Sequence, residues 1–292
     1  MGYGSYGPEP WCPWLIPCIF LGCVGMFAYT MYVNDCPETT GSLNCIGFEQ
    51  LGRYSFQPVS ENALLGPSSY TLQDLGGLNP RLVVDENQTY RIVTYMWLHS
   101  GVFHLLANML CLMLTGMRLE EEFGFLRIGV LYFVSGCGGG LLSCLHSRTK
   151  NRVTVGASGA LFGLLGSSLS ELITNWTIYS SKCSSLCGLM MTIIMNMCIG
   201  MLIPGVDQSA HYGGFFTGLL LGFILLMRPQ FGYISRRYMA IGYDVKKKIP
   251  KYKCYQYLLC VLALVALIIG AMFGVAKLIR GETIKLGLPG FD

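Results

Sequence analysis

Val155-Gly156-Ala157-Ser158-Gly159-Ala160-Leu161-Phe162-Gly163 lies in a strongly apolar stretch, and a second apolar stretch opens Ala210-His211-Tyr212-Gly213-Gly214. A hydroxyl in a membrane helix is ordinary, and a serine beside glycines is most simply a packing residue. A serine and a histidine on two separate spans are a different matter, because a hydroxyl needs an adjacent base to become a nucleophile. Three points decide between these readings: whether the stretches are spans, which way each runs, and which other polar groups share their depth.

The chain has 292 residues, 52% of them hydrophobic and only 12% charged, with a mean hydropathy of +0.49. Soluble domains carry roughly 25% charged residues. Apolar runs of about 20 residues read as membrane-spanning helices, whose backbone groups must be satisfied internally. The fold class is therefore an all-α polytopic membrane protein, and the lipid bilayer is its first partner. The net charge of +4 is small and concentrated near one end, so nothing points to nucleic acid. The first ten residues hold no Lys or Arg and two prolines, so neither a cleavable signal peptide nor an Arg-rich transit leader stands out.

Seven spans are expected, at roughly 12–33, 95–116, 126–146, 154–173, 186–204, 210–227 and 256–278. They divide the chain into a short amino terminus (1–11), a first span (12–33), a long loop (34–92), a core of five spans (93–228), a basic linker (229–254), a seventh span (255–279) and a tail (280–292). The 34–92 loop is broken by Pro37, Pro58, Pro67, Pro80 and Gly76-Gly77. Orientation follows the basic residues. The segment after span six carries Arg228, Arg236, Arg237, Lys246, Lys247, Lys248, Lys251 and Lys253, which places it and the amino terminus in the cytosol and the long loop in a lumen. Arg148, Lys150 and Arg152, and Arg280 and Lys285 in the tail, pull the other way and are outnumbered. The sequon Asn87-Gln88-Thr89 then lies on the luminal side, while Asn175-Trp176-Thr177 lies on the cytosolic side and stays unmodified. Most of the 13 cysteines sit in apolar runs; Cys36 and Cys45 flank a polar segment and are free to pair if that loop is luminal. Cys183 and Cys187 have a metal-like spacing without further ligands, so no metal is expected there.

Polar groups inside spans are costly and usually mark function or a pairing partner. His104 and Asn108 are four apart on one face of span two. Ser158 lies about four residues into span four, a rise of only ~6 Å, and His211 opens span six. These three spans run in the same direction, so all four groups share one depth on the outer side. His211 can take the proton of Ser158. With no carboxylate in the spans at that depth, the pair would act as a dyad rather than a triad. His104, Asn108 and the Ser158 amide can donate to a developing oxyanion. Gly159 and Gly163 in span four, and Gly214, Gly218 and Gly222 in span six, form small-xxx-small ladders that let the two helices approach; Gly136 and Gly140 form a similar pair in span three. Each residue also has a bland reading: His211 as a helix-start residue, His104 with Asn108 as an interhelical clamp. His99 lacks the Glu of a zinc-protease H-E-x-x-H.

Taken in order over roughly 90–228, H-S-G-V-F-H-L-L-A-N, L-E-E-E-F-G-F-L-R, G-A-S-G and A-H-Y-G-G-F-F-T-G resemble the rhomboid family of intramembrane serine proteases. The resemblance implies a six-helix core plus one carboxyl-terminal helix, Ser158 as nucleophile, His211 as base, and His104 and Asn108 as oxyanion-stabilising residues. It places Gly156 at the loop end supporting Ser158, gives Gly159, Gly214 and Gly218 packing roles, makes Glu120 and Arg127 structural, and makes His99 a buried structural histidine. Tyr90-Arg91 stands where the family often has Trp-Arg. The extra span, with N-D-C-P, L-G-R-Y-S-F-Q-P and N-W-T-I-Y, is similar to secretase-type plant members, which implies residence in the secretory pathway, the Golgi in particular. The implied activity is cleavage of single-pass transmembrane proteins near their luminal side, without metal or small-molecule cofactor. Two rivals remain. An inactive, client-routing relative would generally lack the serine or the histidine. A transporter would show charged groups deep in several spans and an inverted repeat.

Overall fold

The computed structural model describes residues 11–146, 152–179, 181–202, 206–229 and 252–284. Among the described residues there are seven long helices: α1 (Leu15–Asn34), α2 (Val102–Phe123, with a π-helical turn at Leu112–Gly116), α3 (Phe125–His146), α4 (Ser158–Thr174), α5 (Lys182–Leu202), α6 (Gln208–Leu225) and α7 (Cys254–Ile279). Among the described residues there is no strand, only two isolated bridges, Ile46 with Phe56 and Leu78 with Thr154. Four helices, α1, α2, α3 and α7, are long and apolar enough to cross a bilayer. Of the remaining three, α4 and α6 bury small and polar residues in the bundle interior, as does part of α3.

Two expected spans begin later than their apolar pattern suggests. Span two was expected from 95, but Tyr95–Trp97 is a short 3₁₀ turn and the helix starts at Val102. There the chain must cross the 34–92 segment at backbone contact: a Cβ on Gly101 would stand 2.2 Å from the Leu64 carbonyl oxygen, and Asn62 Nδ2 donates to the Ser100 carbonyl at 2.7 Å. Span four was expected from 154, but α4 starts at Ser158 itself. Thr154 exchanges two backbone hydrogen bonds with Leu78, each 2.9 Å, and Gly156 has φ +124°, a conformation that glycine tolerates and other residues resist. Ser158 is therefore the first residue of its helix, not the fourth or fifth. The 34–92 segment is also more ordered than its prolines suggest. It holds short helices at Phe48–Leu51, Ser69–Asp74, Pro80–Asp85 and Arg91–Thr94, with Ser68 and Asn79 as side-chain N-caps and Pro80 in the first turn.

α4 is the axis of the bundle, with 13 of its 17 residues buried. It meets α6 backbone to backbone: a Cβ on Gly214 would lie 1.9 Å from the Gly159 carbonyl oxygen, and one on Gly218 2.0 Å from that of Gly163. Any larger side chain would wedge the two helices apart. Gly136 and Gly140 of α3 do something else, lying against Met96 and Tyr95. α1 is tied to the end of α2 by one carboxylate. Fully buried Glu120 accepts from the Trp14, Leu15 and Ile16 amides at 3.0, 2.8 and 2.8 Å, satisfying the orphan donors of a helix start and meeting its dipole. α7 leans on α3 and α6 and buries only Gln256, Ala263 and Gly274, which fits a helix added to a core of six.

These contacts define two ends. At one lie the Glu120 cap, the start of α7 and the start of α5; we call it the far end. At the other lie the end of α1 and the 34–92 segment, where Cys36 and Cys45 form a disulfide. Asn87 is exposed at this second end. Asn175, at the far end, is fully buried, so its sequon is closed by burial. The residues 230–251 and 147–151, and both termini, lie outside the described residues, and with them most of the charges used to expect an orientation.

Candidate active site

The helix starts of α2, α4 and α6 converge at the disulfide end. Ser158 is the first residue of α4, His211 the fourth of α6, and His104 and Asn108 the third and seventh of α2. His211 Nε2 stands 2.9 Å from Ser158 Oγ. The imidazole is buried and stacked on Phe162, ring centroids 4.4 Å apart, which fixes its plane. Its other nitrogen, Nδ1, lies 3.2 Å from Gln208 Oε1, one turn earlier on α6. A proton on Nδ1 donated to that oxygen leaves Nε2 as the acceptor facing Ser158.

His104 and Asn108 close the opposite side. A Cβ on Gly156 would meet His104 Cε1 at 2.7 Å, His104 Nε2 at 2.9 Å and Asn108 Nδ2 at 3.7 Å. Both side chains thus reach the backbone two residues before Ser158. Gly156 is required here twice over, by its positive φ and by this clearance. Ser100 Oγ lies 2.8 Å from His104 Nδ1. A Ser100 hydroxyl donating there sets the tautomer with a proton on Nε2, the nitrogen that looks towards Gly156. The first amides of α4, those of Ser158, Gly159 and Ala160, have no acceptor one turn earlier within their own helix and carry the positive end of its dipole. Donors therefore come from two directions, α2 and the first turn of α4, onto the backbone that leads into Ser158, an arrangement that can serve an oxyanion.

Asp207 and Tyr95 escaped sequence reasoning as positioning residues, and Arg91 was noted only as half of the Tyr90-Arg91 pair. Asp207 caps α6 through the Ser209 amide at 3.0 Å, accepts from Thr154 Oγ1 at 3.1 Å and also takes the Ser143 hydroxyl of α3. One carboxylate thereby joins the helix of His211 to the segment that enters Ser158. Asp at the residue before an apolar helix is a cap signature that could have found it. Tyr95 accepts the Gly156 amide on its carbonyl at 2.9 Å and donates its hydroxyl to the Gly136 carbonyl at 2.8 Å. Arg91 is buried and donates from Nη1 to the Gly77 carbonyl at 2.8 Å, holding the residues next to Leu78 and hence the Leu78–Thr154 bridge. Its neighbour Tyr90 is exposed. His99 is fully buried, edge-on to His104 at 5.4 Å. Among the described residues no group of His, Cys, Asp or Glu is placed to hold a metal ion.

Comparison with known proteins gives one family. Residues 86–228 match the Rhomboid domain. RHOMBOID-like protein 5 of Arabidopsis thaliana is 54% identical over 278 residues, covering 95% of this chain and 89% of its own length. RHOMBOID-like protein 1 of the same plant is 51% identical over 275 residues, covering 94% and 69%. Inactive RHOMBOID-like protein 8, also of that plant, is 44% identical over 217 residues, covering 74% and 60%.

Proposed function

The chain belongs to the rhomboid family, and from that premise we propose that it is a serine endopeptidase that cuts single-pass membrane proteins within the bilayer, with Ser158 and His211 as its catalytic dyad. The observation that carries the reading is the 2.9 Å approach of His211 Nε2 to Ser158 Oγ, with the Nδ1 side already engaged by Gln208. His211 takes the hydroxyl proton as Ser158 Oγ attacks the scissile carbonyl. Negative charge moves onto the carbonyl oxygen, where His104 Nε2, Asn108 Nδ2 and the first amides of α4 donate to it. His211 then returns its proton to the leaving amine, and water repeats the sequence to release the acyl group.

α4 has 17 residues, about 25 Å at helical rise, against a hydrocarbon core of about 30 Å. Its first residue therefore sits below the membrane surface, where water entering from the disulfide end reaches the dyad. A substrate must present an unpaired carbonyl at that depth, so segments with Gly, Pro or other weak helix formers are the expected substrates. The disulfide supports an orientation with the site towards an oxidising lumen or exterior and the amino terminus in the cytosol. A secretory-pathway membrane such as the Golgi fits that orientation.

The test is co-expression with a tagged single-pass substrate carrying such a segment. Wild type releases a fragment; Ser158→Ala and His211→Ala, present at the same level in the membrane, release none, and a fluorophosphonate probe labels wild type but not Ser158→Ala. Cleavage that survives Ser158→Ala overturns the proposal. A wild type that binds the substrate without ever cutting it favours client binding without catalysis.

A further inference from the structure

The cysteines are sorted by end. The disulfide Cys36–Cys45 closes the site end, while five of the six exposed free thiols lie at the far end: Cys12 and Cys18 around the start of α1, Cys183 and Cys187 in the first two turns of α5, and Cys254 at the start of α7. The sixth, Cys198, lies towards the other end of α5.

Cys183 and Cys187 form the tightest set. They are four residues apart, so they share one face of α5, and both are exposed. Their face continues into Met191, Met195 and Met201, all exposed and apolar, which is a lipid-facing stripe. The helix start lies at the membrane boundary: Lys182 sits over the Trp176 ring at 6.0 Å, and Tyr179 reaches back to Glu171. α5 is also the least anchored of the inner helices here. A cavity of about 330 Å³, lined by Leu114, Arg118, Leu165, Glu171 and Leu189 among others, separates its first half from α2 and α4.

We propose that Cys183 and Cys187 are S-acylation sites that carry long-chain fatty acyl groups as thioesters. Exposed thiols in a reducing compartment, at the membrane boundary and on a lipid-facing helix, are acceptors for this chemistry. The step balances without a redox partner: cysteine Sγ attacks the carbonyl of a long-chain acyl-coenzyme A, the new Sγ–acyl bond forms, the acyl–sulfur bond to coenzyme A breaks, and the released coenzyme A thiolate takes up the proton lost by cysteine. The attached chain lies along the Met191–Met195 stripe and holds the start of α5 at the bilayer surface. Cys198 shares the helix but stands roughly 22 Å further along it at helical rise, beyond reach of an acyl donor at the cytosolic boundary. The proposal rests on the orientation given above.

The experiment replaces thioesters by a polyethylene-glycol maleimide after hydroxylamine and reads the gel shift, using the full chain from a eukaryotic host. Wild type and Ser158→Ala shift alike, which separates the result from proteolysis. Cys183→Ser with Cys187→Ser removes one or two tags, and Cys198→Ser removes none. Absence of a hydroxylamine-dependent shift, or a shift unchanged by the double substitution, overturns the proposal. A membrane-impermeant maleimide applied, after hydroxylamine, to sealed cytosolic-side-out vesicles and to the same vesicles opened with detergent reads the orientation separately, and labelling of Cys183 only in the opened vesicles would overturn that premise.

Discussion

The two ends of the bundle bury similar polar groups and use them in opposite ways. At the far end Asn175 Nδ2 donates to Glu171 Oε1 at 3.0 Å and to the Leu226 carbonyl at 2.8 Å, while its Oδ1 accepts the Arg228 amide at 2.9 Å. Gln256 Nε2 donates to the carbonyls of Thr174 and Arg228 at 3.2 and 3.0 Å. Arg228 pairs with Glu122 and Glu171. Four helices are locked together there by groups whose capacity is spent on one another. At the site end each group is held from one side only: His211 by Gln208, His104 by Ser100, the first turn of α4 by its own helix. What remains is turned towards the start of α4: His211 Nε2 towards Ser158 Oγ, and His104 Nε2 and Asn108 Nδ2 towards Gly156, two residues before it. Burying polar atoms is costly at both ends; what separates a clamp from a reactive site is the bonding capacity left over and where it points.

That contrast makes graded claims. The largest effect after loss of the dyad itself is expected at the oxyanion donors. Asn108→Ala, or His104→Ala, should lower kcat by roughly 10² to 10³-fold while the protein melts near the wild-type temperature; a purely structural role would instead show up in the melting curve. At the far end the pattern should reverse. Asn175→Ala leaves the Leu226 carbonyl and Arg228 amide without their side-chain partner, a cost of about 1–3 kcal/mol, so thermal stability in detergent falls while the turnover of the folded fraction holds. Gln208→Ala sits between the two. It removes one neutral hydrogen bond from His211, worth about 1 kcal/mol, and should slow cleavage roughly fivefold to tenfold without altering fluorophosphonate access. The smallest change concerns surface chemistry: a glycan removed by Asn87→Gln but not by Asn175→Gln, scored as a glycosidase-sensitive gel shift, would match the exposure of the two side chains.

Much of this was legible in the sequence. Among the described residues seven long helices overlap the expected apolar runs, and four of them are long and apolar enough to cross a bilayer. Ser158, His211, His104 and Asn108 come together because equal depth and common direction follow from counting spans. The starts of α2 and α4 were misplaced for a physical reason: 95–98 and 153–157 are apolar enough to continue a helical pattern, yet one segment is bent by its crossing with Leu64 and the other is drawn into a bridge with Leu78. Apolar periodicity does not register such backbone pairing. Asp207 was passed over because its partners, Thr154 and Ser143, are distant in sequence, and Arg91 was noted only as half of the Tyr90-Arg91 pair, without its bond to the Gly77 carbonyl. Asn175 was expected to stay unmodified because of its side of the membrane, whereas its burial is reason enough.

Glu120 carries a consequence for the order of assembly. The three amides it caps belong to Trp14, Leu15 and Ile16, and it follows them by 104 to 106 residues. During synthesis α1 reaches the membrane long before that carboxylate exists, so the amides at its leading turn must stay hydrated at the membrane boundary. Only when the end of α2 has been made can they be dehydrated and α1 seated. The first helix to be synthesised is therefore obliged to wait for the second, and a chain stalled between Asn34 and Glu120 would hold an inserted but undocked helix.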